Sequence, residues 1–467
     1  MIVASDAPIP TPVVPLYARW TSTSAFVLAA VGAGVGLGNI WRFPYVTGSH
    51  GGGAFLVVYI LAAFGIVMPV LVAELIIGRR GGGSPMRAIA VLAREAGTHP
   101  AWRAFGAVGM VATFLVFAYT SVFASWALPY MLKSATGAFA QASPEAVREA
   151  YEALLNSPIA LLGWHGGFLL LVALLVAQGL RDGLERAFKV LIPLFLAVLA
   201  GLVVHAGLNG AFMTTVHFLL RPDFATLSPA AVLTAIGSAF FTVTVGLGIM
   251  MTFGTYLDRK VNITRAAIAI VAADVVVSLL AAFAVFPIVF AYRLNPAEGP
   301  GLIFVTMTTA FARMPAGSIV GVLFFLFLML AALTSAMAAL QPLVTWAMER
   351  HGWQRSEAGL GFVAGAWLLG IAINFSFNVG KDLHPLAAIP WLRNATMFQI
   401  VDRVSSDILI PLAGASLLVF SGWRLTPTLV EDELAPISPL WLAVWRFLVR
   451  WLAPATLLVI AGLVALR

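Results

Sequence analysis

Between Ala25 and Ala465 the chain is a near-continuous series of apolar runs broken by short polar stretches. A run of about 20 such residues, wound as a helix, matches the roughly 30 Å hydrocarbon core of a bilayer. Windows of this kind place spans near 24–48, 54–78, 103–132, 161–180, 185–207, 230–256, 264–290, 317–348, 357–375, 398–421 and 442–466, eleven in all. With 61% of its 467 residues hydrophobic and 10% charged, the chain has too few polar side chains to cover a water-soluble globule. The zero cysteine count excludes a disulfide framework, a thiolate metal site and a cysteine nucleophile.

The net charge of +7 is spread over short loops without interleaved aromatics, so the expected partner is the lipid bilayer and not a nucleic acid. With the N-terminus in the cytoplasm, 17 of the 27 basic residues fall in inside loops. That bias predicts a multi-pass protein of the cell (inner) membrane, N-terminus inside, with an odd span count placing Arg467 outside. Met1 to Pro15 has no basic n-region and reads as a tail, not as a cleaved signal. The segment from Pro296 to Pro315 reads as an extracellular loop that acts as a lid.

Two spans carry interruptions. The first holds Gly32, Gly34, Gly36 and Gly38 ahead of Asn39, and each glycine weakens a helix by about 1 kcal/mol relative to alanine. The sixth holds Thr242-Val243-Thr244-Val245-Gly246-Leu247-Gly248. One reading makes the glycines a small-residue packing face. The other makes both spans discontinuous helices at matching places in two inverted repeats, where unwound backbone exposes carbonyls and helix ends near the midplane. The resulting division is a cytoplasmic tail (1–22), a first repeat of spans one to five (23–207), a second of spans six to ten (229–421), and a cytoplasmic loop with span eleven (422–467). Asp274, inside Val271-Ala272-Ala273-Asp274-Val275-Val276-Val277, costs several kcal/mol unless it faces an ion, a proton path or a polar partner.

The segment Gly34-Val35-Gly36-Leu37-Gly38-Asn39-Ile40-Trp41-Arg42-Phe43-Pro44-Tyr45, followed by Gly51-Gly52-Gly53-Ala54-Phe55, strongly resembles the opening of the neurotransmitter:sodium symporter family. The likeness continues at Glu74 to Arg79, Gly183 to Arg186, Ser238 to Thr242, Thr334-Ser335 and Gln341-Pro342. It implies an all-α transporter of the 5+5 inverted-repeat fold, with spans one and six discontinuous and an eleventh helix added, as in bacterial amino-acid carriers of the family. It implies two sodium sites. The first would use the carbonyl of Gly34 with Asn39, Thr242 and Asp274, and the second the carbonyls of Gly32, Val35 and Ala331 with the hydroxyls of Thr334 and Ser335. Oxygen donors of this kind suit a hard cation. For Thr334 and Ser335 the competing role is a bond to their own helix backbone.

A substrate carboxylate would meet the amides near Leu37 and Gly38, and the amino group would meet carbonyls near Gly34, Phe241 and Thr242 and the hydroxyl of Thr244. The side chain would face Val116, Leu247, Ala339 and Phe241, with Ser335 alongside. Chloride-independent members of the family carry an acidic side chain near the first ion site. Asp274 resembles that group, so no chloride is expected. Two departures stand out. Thr120, with Tyr119 beside it, occupies a position where relatives have a tyrosine that helps hold the carboxylate, and Ser238 replaces a glutamine near Glu74. Arg42 and Asp402 would pair as an outer gate above Phe241. Glu349 fits the acid of an inner gate, but its usual arginine falls at Tyr17 and leaves Arg19 as a substitute. Trp20 would pack beneath the bundle or anchor at the interface. Gly183 and Pro193 would let the fifth span unwind, or simply kink it.

These expectations amount to a sodium-coupled symporter of hydrophobic or aromatic amino acids working by alternating access, and not an enzyme. A proton-coupled carrier or a non-transporting receptor-like member is the alternative. No oligomeric state follows from the sequence.

Overall fold

The computed structural model describes residues 19–36, 38–294 and 301–465, and every regular element among them is helical. Leu37 and Tyr17 therefore lie outside the described residues. Among the described residues nine helices are long and apolar enough to cross a membrane: Gly53–Gly81, Pro100–Ala135, Pro158–Ala177, Leu180–Asn209, Ile263–Ala291, Gly317–His351, Arg355–Phe375, Met397–Arg424 and Pro439–Val459. Two expected spans are divided. The first is a pair, Thr23–Gly34 and Gly38–Ser49, bent by 57°. The sixth is split into Pro229–Val243 and Ile249–Thr255, each shorter than a bilayer crossing requires.

The third and eighth spans run along each other, the fourth packs on the ninth, and the fifth packs on the seventh. Large apolar side chains such as Leu174, Val190, Val204 and Leu368 are exposed on the outside. In water that surface would be a liability; against lipid it is the required coat. Aromatic rings fill the inside, with Trp126, Tyr130, Phe188 and Phe195 fully buried.

Hydropathy does not show the shorter helices between spans. Pro85–Glu95, Pro144–Leu155, Phe212–Leu220 and Pro427–Leu434 are helical, each held by an N-cap or first-turn proline or by burial of one face. Of the expected lid between Pro296 and Pro315, residues 296–300 lie outside the described residues, and the rest is corrected: residues 302–313 form a helix whose Leu302 to Ala312 are all buried. Phe304 packs edge-on to Trp126 and Tyr130, which makes this segment part of the core.

Candidate ion and substrate site

The glycines of the first span serve both readings of the sequence, because the helix breaks where it also comes closest to its neighbours. Val35 leaves the helix with extended backbone. The Gly36 amide freed by that break donates to Oδ1 of Asn39 at 3.1 Å. A Cβ on Gly36 would stand 2.5 Å from the Ser335 hydroxyl, and one on Gly34 would stand 3.2 Å from the Thr242 carbonyl. In the sixth span Thr244 is forced into left-handed backbone, φ 57°. For a β-branched residue this costs on the order of 1–3 kcal/mol, a strain found where surrounding structure holds a functional site in place. Glu74, fully buried on the second span, accepts from the Gly246 amide at 2.8 Å and so satisfies backbone released by this second break.

Asn39, Thr242 and Asp274, distant in sequence, meet between the two breaks. Nδ2 of Asn39 donates to Oδ1 of Asp274 at 2.7 Å and to Oγ of Ser278 at 2.8 Å. The Tyr59 hydroxyl lies 2.9 Å from Oγ1 of Thr242 and donates to Oδ2 of Asp274 at 3.0 Å, with Ser278 at 3.1 Å. All five side chains are buried. The arrangement concentrates one negative charge and several oxygen donors in a dry place, the chemistry a small hard cation requires. The sequence reading missed Tyr59 and Ser278. Ser278 was within reach of it, because it follows Asp274 by four residues and shares its helix face.

A second group of oxygens lies where the eighth span meets the first. Ser335 donates to the carbonyls of Ala33 and Val35, each at 3.3 Å. Thr334 instead bonds its own helix, at 3.2 Å to Leu330 and 3.0 Å to Ala331, the competing role noted above. Where Gly32 lies, Phe188 and Ile192 of the fifth span leave no room for a Cβ. Gly183 sits in a wide turn at 180–185, and Pro193 lies inside a helix that runs on unbroken from Arg186 to Asn209.

Between these groups lies a cavity walled by Val116, Phe117, Phe241, Leu247, Ala339 and Ile410, with Gly34, Gly36, Gly38, Thr244 and Ser335 on its polar side. Thr120 also lines it, with its hydroxyl turned back to the Val116 carbonyl at 2.6 Å. Thr244 likewise donates to the neighbouring Val243 carbonyl at 2.7 Å. Ser238 bonds Thr234 of its own helix at 2.7 Å.

The gates differ from expectation. Arg42 and Asp402 do not form an ion pair; the Arg42 guanidinium lies over the Phe241 ring, 4.6 Å from its centre. Asp402 accepts from Ser406 at 3.2 Å. Buried Tyr119 lies within electrostatic reach of both charges. On the opposite side Arg19 pairs with Asp258 at 3.0 Å instead of with Glu349. Glu349 accepts from the Ser84 amide at 3.0 Å and lies 3.8 Å from Arg87. Trp20 is buried and packs on Phe26, Phe253 and Tyr256, with its ring nitrogen donating to the Phe253 carbonyl at 3.1 Å. It packs beneath the bundle and does not anchor at an interface.

The comparisons with known proteins agree with this architecture. The profile of the sodium:neurotransmitter symporter family matches residues 17–152 and 162–376. An uncharacterized sodium-dependent transporter of Bacillus subtilis, YhdH, is 34% identical over 95% of this chain and 96% of its own length. An uncharacterized sodium-dependent transporter of Haemophilus influenzae is 28% identical over 94% of this chain and 96% of its own. A crystal structure of MhsT in complex with L-phenylalanine superposes with a TM-score of 0.85 at 33% identity, covering 95% of this chain and 98% of that one. The chain belongs to the sodium:neurotransmitter symporter family, and is a multi-pass, sodium-dependent transporter with the family's inverted-repeat fold and no enzymatic role.

Proposed function

We propose that this transporter couples inward movement of sodium to uptake of hydrophobic or aromatic amino acids, without chloride. The observation that carries the reading is the cavity itself. Apolar side chains from Val116, Phe241, Leu247 and Ala339 surround most of it, while broken-helix backbone at Gly34, Gly36 and Gly38 borders the Asn39–Thr242–Asp274 cluster. A zwitterion with an apolar side chain fits that division. Its amino group meets the carbonyls around Gly34, Phe241 and Thr242, and its carboxylate meets amides and the first sodium ion. Ion and substrate then raise each other's affinity by the same factor.

The second sodium ion is assigned to Val35, Gly32, Ala331, Ser335 and Thr334, with the Thr334 hydroxyl turning from its own helix toward the ion. Asp274 supplies the negative charge that a bound anion would otherwise provide, which supports independence from chloride. Spans one, two, six and seven rock against three, four, eight and nine. Arg42 over Phe241 closes the outer side, and Trp20, Glu349 and Arg19 hold the cytoplasmic side. Two sodium ions moving down about −100 mV yield about 4.6 kcal/mol. A tenfold gradient adds roughly 2.8 kcal/mol for the pair. The sum sustains steep accumulation.

The test is uptake of each of the twenty amino acids into proteoliposomes under a sodium gradient, with chloride replaced by gluconate. Sodium-driven, gluconate-insensitive accumulation of apolar amino acids is expected. Uptake driven by a proton gradient without sodium, or binding without accumulation, would overturn the reading.

A further inference from the structure

Within the cavity wall, Thr120 and Ser121 differ in what lies behind them. Thr120 bonds only its own helix. Ser121 lines the cavity, and its hydroxyl lies 2.8 Å from the Ala118 carbonyl and 2.9 Å from Nε2 of His165 on the fourth span. His165 is fully buried, and its other ring nitrogen, Nδ1, has no partner among the described residues. The imidazole occupies space that Gly370 of the ninth span leaves open, since a Cβ there would overlap the ring. Three helices therefore combine to put a histidine directly behind one serine of the wall.

The serine has a single proton to give. If it went to His165, Nδ1 would carry a buried N–H with no acceptor, the costlier kind of orphan. With Nε2–H donating to Ser121 and the serine proton directed to Ala118, Nδ1 is a bare acceptor, and every buried N–H and O–H of the group is satisfied. In that arrangement Ser121 offers the cavity only a lone pair. The wall thus presents a hydrogen-bond acceptor among apolar neighbours, and Ala124, Ala336 and Ala339 leave breadth for a ring.

Building on the amino-acid reading above, we infer that Ser121, positioned by His165, selects aromatic amino acids bearing a hydrogen-bond donor on the ring, a phenol O–H or an indole N–H. His165 acts through the serine and is a positioning residue; it does not contact the substrate.

The experiment is titration calorimetry of the purified full-length protein in saturating sodium with tyrosine, tryptophan and phenylalanine. Ser121→Ala should weaken tyrosine or tryptophan binding about threefold to tenfold, the worth of one neutral hydrogen bond, and leave phenylalanine unchanged. His165→Phe, which fills the same space, should reproduce that selective loss. Equal losses for all three ligands, or none for any, would overturn the inference while leaving the wider amino-acid reading intact. Absence of sodium-dependent binding of all three by the wild type would overturn the inference together with the aromatic part of the amino-acid reading.

Discussion

Asp274→Asn keeps the shape of the ion cluster and removes its only carboxylate. In the native protein this group accepts from Asn39 at 2.7 Å and from Tyr59 at 3.0 Å. Each bond to a charged acceptor contributes about 1.5–3 kcal/mol against roughly 0.5–1.5 for a neutral one, so the change weakens the cluster by about 2 kcal/mol. The effect on sodium is larger. A cation about 4 Å from the carboxylate gains about 4 kcal/mol at an effective dielectric constant near 20, and the amide gives little of that back. An affinity loss approaching a thousandfold follows at the first sodium site. The assay is a sodium titration of substrate binding by calorimetry in detergent, with ionic strength held by N-methyl-glucamine. Wild-type binding should not change when chloride is exchanged for gluconate. In the variant the donors of Asn39, Tyr59 and Ser278 face no anion, so added chloride should recover part of the sodium affinity. A sodium affinity within threefold of wild type would refute the placement of the ion beside Asp274.

Three further outcomes are expected. Gly36→Ala drives a methyl group to 2.5 Å from the Ser335 hydroxyl, so sodium-driven uptake should fall to background while the spans still fold, as circular dichroism would report. Arg79→Met breaks the buried pair with Glu433, which lies at 2.6 Å with both side chains about 5% exposed or less. Because Arg80 still faces Glu433 at 3.5 Å, it should lower stability by less than the about 3–5 kcal/mol of a fully unpaired buried charge, and adding Glu433→Gln should recover part of it in thermal melts. The Lys260 amide and then the Arg19 guanidinium hold Asp258 below its ordinary value of 3.8. The ionised partner is therefore favoured by folding, and its contribution is complete above that value and lost only as pH falls through the lowered one. The difference in melting temperature between wild type and Asp258→Asn should stay constant from pH 8 to pH 5, and a difference that disappears within that range would contradict the assignment.

Hydropathy and glycine placement determined a good deal by themselves. The order of the spans, the weak points near Gly36 and Gly246, and the candidacy of Asp274 follow from the energetic cost of polar groups and weak helix formers in lipid, whereas the candidacy of Asn39 and Thr242 came with the family resemblance. Tertiary structure decided which way each helix turns. Spans that are apolar all round have no inward face in sequence. So the convergence of Tyr59 and Ser278 on Asp274, the seat of Arg42 over Phe241, and the pairing of Arg19 with Asp258 became visible only in three dimensions. Rotamers were equally hidden. The hydroxyls of Thr120 and Thr334 chose their own backbone, and that of Ser335 reached the next helix. The short polar helices lay beyond hydropathy for a different reason: they are stabilised by caps and by docking, as Pro427–Leu434 is by Arg79 on Glu433, and not by any affinity for the bilayer.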